Sequence, residues 1–212
     1  MLTVHHLGLS QSERVVWLCE ELGLDYDFKR YDRRADNRLA PDDYKALHPM
    51  GIAPVITDGD LVLGESAAIC EYINTVHGGG RLAPPPGDAD YADHLFWFHW
   101  SNATYMATKM MGGVIGYGGG DPQRVPFVIE RARRANELME ARLGTTPFFG
   151  GRHLTLADIM MVYSLTTSRA FGAGAPMDDL PNTRAYLRRI AERPAYQRAM
   201  AKAEPGMAPM ID

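Results

Sequence analysis

Ser10 stands in HHLGLSQSERVVWL, between an apolar run that reads as a strand and a periodic run, Val15, Leu18, Cys19 and Leu22, that reads as a helix. In a βαβ unit, ligands bind at the carboxyl ends of strands, against helix N-termini. A redox enzyme on that plan would place a Cys-x-x-Cys pair here, and Ser10-Gln11-Ser12-Glu13 excludes disulfide exchange at this spot. A hydroxyl can instead stabilise a ligand's thiolate, lowering a thiol pKa from its ordinary value of ~8.5 with help from the helix dipole. Ser12 is expected to be the helix N-cap, a position serine favours. Ser10 lies too early to cap and is the candidate for chemistry.

The second stretch is GIAPVITDGDLVLGESAAI, residues 51–69. Proline cannot donate to a ladder, so Pro54 belongs at a strand's first residue or on an edge. A cis bond before it would turn the N–H and C=O of Ala53 outward, free to pair with an extended ligand backbone. Asp58-Gly59-Asp60 between apolar runs signals a hairpin. Glu65 and Ser66 then open a helix. The hydroxyl of Ser66 and the local N–H groups suit a ligand carboxylate, and the Glu65 carboxylate suits a ligand ammonium. Helix capping alone also accounts for either residue. An exposed edge beside a zwitterion-sized site points to a small peptide ligand.

The elements that must position these groups alternate in the first part of the chain. LTVHHL reads as a strand, Ser12 to Gly23 as a helix stopped by glycine, and YDFKRYD as a strand. A polar loop leads to a short helix around Asp42 to Leu47, then come the Pro54 and Leu61 strands and a helix from Glu65 to about Val76. This predicts βαβαββα, with a parallel pair in the βαβ part and an antiparallel pair at the hairpin. HGGGRLAPPPGDADY is a linker, rich in Gly and Pro. Beyond it the pattern is all-helical: Ala89 to Met111, broken by MGGVIGYGGGD; Asp121 to Leu143; a helix opened by LTLADIMM; and two short helices broken at Pro194. The expected organisation is an α/β domain over 1–78, a linker over 79–89 and an all-helical domain over 90–212.

Composition narrows the class. The chain has 212 residues, a formal net charge of -4 and no dense Lys/Arg stripe, which argues against nucleic acid. The start, MLTVHHLGLS, lacks a signal-peptide pattern, and the least charged stretch, Leu95 to Thr108, holds too many polar residues for a membrane span. Two cysteines far apart suggest neither a disulfide scaffold nor a zinc site. A cytoplasmic protein with no membrane partner is expected.

Along nearly its whole length the chain resembles a glutathione transferase of the serine type, theta-like or nu-like. The resemblance is carried by SQSERVVWLCEELGL, HPMGIAPVITDGDLVLGESAAICEYI and LTLADIMM, in that order and spacing. It implies a thioredoxin-like domain followed by a helical domain, usually as a homodimer, with glutathione as cofactor. It implies that the Ala53 backbone, ahead of Pro54, pairs with the cysteinyl unit of glutathione, that Glu65 and Ser66 hold the γ-glutamyl end, and that Ser10 activates the thiol. Many relatives carry Lys or Gln where Ile52 stands, and Asn where His48 stands. An apolar Ile52 cannot bind a carboxylate, so the glycyl end is assigned to Arg38 or Arg34. A small apolar electrophile is expected across the domain boundary, facing Ser10, with Asn102, Tyr105, Met106, Lys109 and Met110 as candidates; Tyr105 and Met106 point different ways on a helix. Each is equally well explained as core. Conjugation, dehalogenation, ether cleavage and isomerisation fit one such site. The alternative is a binding protein that keeps the scaffold without turnover, for which Ile52 is the main support.

Other signals resolve to structure. Thr155 and Asp158 read as a capping box, with Leu154 and Ile159 as its hydrophobic staple, and receive no catalytic role. His5 and His6 are adjacent on a strand, point to opposite faces and cannot share a metal. Gly116 to Gly120 lacks the Lys-Ser/Thr of a phosphate loop. Cys19 and Cys70 sit on apolar helix faces as small hydrophobes.

Overall fold

The computed structural model describes residues 1–171, 179–208 and 210–211. The chain forms two compact units, Met1–Ala83 with Ala191–Pro209, and Pro84–Ile190 with Met210–Asp212.

The first unit is built on four strands: β1 (Leu2–Leu7), β2 (Asp27–Tyr31), β3 (Val55–Asp58) and β4 (Leu61–Gly64), in the order β2-β1-β3-β4. β1 and β2 are parallel, with Leu7 opposite Tyr31. The other pairs are antiparallel, with His5 opposite Val55 and Val55 opposite Gly64. Helix α1 (Glu13–Leu22) ends at Gly23, which takes the left-handed conformation a glycine stop requires. Helix α2 (Asp42–Lys45) buries Tyr44 edge-on against Tyr31. Helix α3 (Ser66–Tyr72) runs into a π-helical turn, Ile73–His77.

Chain order does not anticipate where helix α9 (Pro194–Ala203) packs. It returns to the first unit and lies on α1, with Tyr196 edge-on to Trp17 at 5.2 Å. Ion pairs from Arg193 to Glu21 and from Arg198 and Lys202 to Glu20 frame the contact. This explains why α1 is buried all round rather than on one face only.

The second unit holds α4 (Tyr91–Trp100), a π-helical turn (Ser101–Met106), α5 (Ala107–Tyr117), α6 (Pro126–Leu143), α7 (Leu156–Leu165) and α8 (Pro181–Ala191). Two boundaries differ from the sequence reading. Gly112 and Gly113 do not break α5, which runs to Tyr117 before Gly118 ends it. A helical glycine costs only about 1 kcal/mol, and Gly112 lies close to Val128 and Pro122. The helix expected from Asp121 starts instead at Pro126, because Pro122 and Pro126 suit first-turn positions and allow only a short 3-10 turn between them.

Every residue of α7 is buried. Its start is the expected capping box: Thr155 Oγ1 accepts from the Ala157 N–H, and Asp158 accepts from the Thr155 N–H at 2.9 Å. Asp158 also accepts from the Phe149 N–H at 2.9 Å and the Tyr186 hydroxyl at 3.0 Å. Burial pushes its carboxyl up to about 6, against these donors. It therefore stitches the 149 loop, α7 and α8 together. Asp158→Ala strands three buried donors at about 1–3 kcal/mol each, so a loss of about 3 kcal/mol or more is expected in urea unfolding. Thr155→Ala should lose about 1 kcal/mol. The reverse order would remove Asp158 as the organising group.

Candidate functional site

The strand register collects the candidate residues at one end of the sheet. β1 and β2 finish there together, β3 begins there and β4 finishes there. The loop after β1 carries Ser10, the loop after β2 carries Arg34 and Arg38, Ala53-Pro54 leads into β3, and Glu65-Ser66 follows β4. Leu9 (φ 53°), Arg38 (φ 60°) and Glu65 (φ 69°) are the non-glycine residues with left-handed φ among those described, and all three lie in these loops. Such conformations cost about 1–3 kcal/mol each and concentrate where function requires them.

The Ala53–Pro54 peptide bond is cis. Neither polar group of the Ala53 backbone bonds to another backbone group among the described residues. Glu65 is exposed and occupies the N-cap position of α3 without a capping bond from its side chain. Ser66 is buried and donates to Gln11 Oε1 at 3.1 Å rather than to its own helix. Arg14 donates to the same oxygen. Capping therefore does not account for the Glu65-Ser66 side chains. Gln11 ties the start of α3 to the loop that carries Ser10, a link no local pattern announces.

The two serines exchange parts of their expected roles. Ser10 accepts the Ser12 N–H at 3.2 Å, as a residue ahead of a helix does. Ser12 makes no capping bond. Its Oγ accepts the Leu7 N–H at 3.1 Å and lies 2.7 Å from Ser10 Oγ and 2.9 Å from His6 Nδ1. The first turn of α1 begins tightly enough at Ser10 that Ser12 is already in helical conformation, with its side chain turned back to β1. Both serines are buried.

Arg34 is held by both oxygens of Asp36 and lies 3.8 Å from Asp42. Arg33 staples the same loop to the Ser10 loop, donating to the carbonyls of Gly8, Leu9 and Arg38. Arg38 is exposed and lines a cavity of about 550 Å³ with Gly8, Arg30, Arg33 and Glu204. Ile52 is half exposed. His48 accepts the Met50 N–H and packs on Gly64, where a Cβ would lie 3.3 Å from its ring; this gives the histidine a structural reason.

Of the residues expected to meet an electrophile, Tyr105 and Lys109 line a cavity of about 570 Å³ in the second unit, with Gly116, Tyr117 and Phe171. Asn102, Met106 and Met110 are not part of its lining: Met106 is buried and Met110 exposed. Lys109 donates to the Ser164 carbonyl and, at 3.0 Å, to Ser168 Oγ. Desolvation, with Arg169 adding to it, lowers its ammonium to about 8. Burial pushes the Tyr105 phenol up. Cys19 and Cys70 are fully buried, and burial holds Cys70 up to about 12, far from a reactive thiol.

Residues 10–76 match the family described as Glutathione S-transferase, N-terminal domain, and residues 122–189 match Glutathione S-transferase, C-terminal domain. Glutathione S-transferase 3 of Schizosaccharomyces pombe is 27% identical over 96% of this chain and 88% of its own length. The crystal structure of a glutathione S-transferase from Actinobacillus pleuropneumoniae shares 32% identity and a TM-score of 0.86, covering 96% of this chain and 93% of that one. A theta class glutathione S-transferase from Xanthomonas axonopodis pv. citri, solved with glutathione bound, shares 26% identity and a TM-score of 0.70 over 93% of this chain and 96% of that one.

Proposed function

The chain belongs to the glutathione S-transferase family, and from that premise we propose that it holds glutathione at the strand ends, forms the thiolate beside Ser10 and directs it at an apolar electrophile. It is a glutathione transferase, as its similarity to enzymes of that name along most of the chain supports. The observation that carries the site assignment is the convergence of the Ser10 loop, Ala53-Pro54 and Glu65-Ser66 at one sheet end, with Gln11 linking two of them. In this reading the Ala53 backbone pairs with the cysteinyl unit, and Glu65 and Ser66 take the γ-glutamyl ammonium and carboxylate. Arg38, which lines the cavity beside the loop that carries Ser10, is the cation assigned to the glycyl carboxylate. The chemistry needs two things: a bound thiol ionised near neutral pH, and an electrophile held in reach. No described helix is long and apolar enough to cross a membrane.

Glu65→Gly separates binding from stability. Glycine adopts the observed φ without strain and is a tolerated N-cap, so the melting temperature should hold or rise. Losing a charged partner worth about 1.5–3 kcal/mol should weaken glutathione roughly ten- to a hundredfold by calorimetry, and Ser66→Ala should weaken it as well. Unchanged affinity in both variants would reject the site.

The cavity walled by Tyr105 and Lys109 is assigned to the electrophile. Below pH 8 its wall carries an ammonium and above it a neutral amine. The affinity for an apolar fluorescent probe should therefore rise as pH passes about 8, and Lys109→Met should abolish that step. A probe whose affinity is flat with pH in the native enzyme would place the electrophile elsewhere.

Met110, Val114, Tyr117 and Phe127 are exposed apolar side chains on α5 and α6, a surface that favours burial between copies. Light scattering should return a homodimer, and a monomer at micromolar concentration would overturn the assembly.

A further inference from the structure

A chain of four buried side chains runs inward from Ser10. Ser10 Oγ lies 2.7 Å from Ser12 Oγ, Ser12 Oγ lies 2.9 Å from His6 Nδ1, and His6 Nε2 lies 3.2 Å from Glu204 Oε1. All four residues are at most 4% exposed. Glu204 is anchored from outside the chain: the same Oε1 accepts the Leu9 N–H, and Arg30 Nη2 lies 3.9 Å from Oε2. With His6 as the neutral imidazole, donor and acceptor chemistry fixes the direction of every bond. A carboxylate only accepts, so His6 carries its proton on Nε2 and presents Nδ1 as an acceptor. Ser12 donates to Nδ1, which is nearer than the Leu7 carbonyl at 3.3 Å. The two lone pairs of Ser12 are taken by the Leu7 N–H and the Ser10 hydroxyl. Ser10 thus points its own proton inward. Toward a ligand it offers a lone pair, the wrong partner for a thiolate and the right one for a thiol.

We propose that this chain is a proton relay that moves the thiol proton of bound glutathione onto His6. The proposal rests on the glutathione site described above. In the step, the S–H bond breaks and its proton binds Ser10 Oγ. The former Ser10 proton passes to Ser12 Oγ, and the former Ser12 proton passes to His6 Nδ1. No electron is transferred and net charge is unchanged: a thiolate and an imidazolium replace a thiol and an imidazole. After the shift Ser10 donates to the thiolate with the proton it has just received, and Glu204 stabilises the imidazolium. His6 and Glu204 act through the two serines and touch no substrate. Among the described residues, His6 meets the Glu204 carboxylate, Arg30 on β2 lies beside that carboxylate, and the Lys202 ammonium on α9 lies 6.0 Å from the Phe28 ring that stacks on His6.

The test follows the proton in the full-length protein. Glutathione binding is measured by calorimetry in buffers of different ionisation enthalpy, which counts released protons, alongside the thiolate absorbance of the bound molecule. In the native enzyme thiolate should form near neutral pH with almost no proton released. In His6→Gln the pH midpoint of thiolate formation should rise by about one unit or more, and each thiolate that forms should release about one proton. Glu204→Gln should shift the midpoint the same way. Nitrogen NMR of His6 needs no variant and guards against one that fails to fold: Nδ1 should gain a proton on adding glutathione and not on adding S-methylglutathione. A native enzyme that forms thiolate while releasing one proton, with His6 unchanged, overturns the relay and leaves the glutathione site standing. Failure of glutathione to bind at all overturns the function and the relay together.

Discussion

The arrangement at the strand ends depends on one carboxylate brought back from the far end of the chain. Glu204 follows α9, is buried, and meets the Leu9 N–H, the His6 ring and Arg30. A buried ion is tolerable only when its oxygens are paired, and removing a partner from such a group typically costs 3–5 kcal/mol. The return of α9 onto α1 is what supplies that carboxylate. In exchange the Ser10 loop gains a fixed anchor for its left-handed Leu9, whose conformation would otherwise relax.

The same loop is held from two further sides. Arg33 binds its carbonyls from the loop after β2, and Gln11 binds Ser66 at the start of α3. Parallel pairing of β1 with β2 and antiparallel pairing of β1 with β3 and β3 with β4 make these segments neighbours without any long excursion. Strain at Leu9, Arg38 and Glu65 is therefore distributed over three loops that brace one another. The loop that carries Ser10 is thereby braced at the end of the sheet from the loop after β2, from the start of α3 and from the segment after α9.

The second unit solves a different problem. A helix buried on every face, α7, has no solvent to satisfy its first turn, so the whole unit is organised around the donors that Asp158 accepts. Close packing continues there: a Cβ at Gly150 would lie 2.2 Å from Thr155 Oγ1, which leaves glycine as the residue that fits. Lys109 shows the opposite balance, an amine made less basic by burial and by the nearby Arg169 even though two oxygens accept its protons.

Local signals are enough for the strands, the glycine stop of α1, the capping box of α7 and the placing of Ser10, Ala53-Pro54 and Glu65-Ser66 in loops or at element starts, because each depends on residues within a turn or two of one another. The strand period alone separates His5 from His6: one bonds Tyr31 and Thr57, the other Ser12 and Glu204. What the sequence could not supply was any contact between segments distant along the chain. Ser12 reads as a cap in the sequence because its competing partners, the Leu7 N–H and the His6 ring, become available only when α1 folds back on β1. Glu204 carried no signal at all, because a carboxylate near a helix end reads as solvent-facing until α9 docks. Propensity and period describe a residue's own neighbourhood; the pairing of buried charge is settled by which distant partners the packed chain brings within hydrogen-bond reach, and that is a property of the tertiary structure alone.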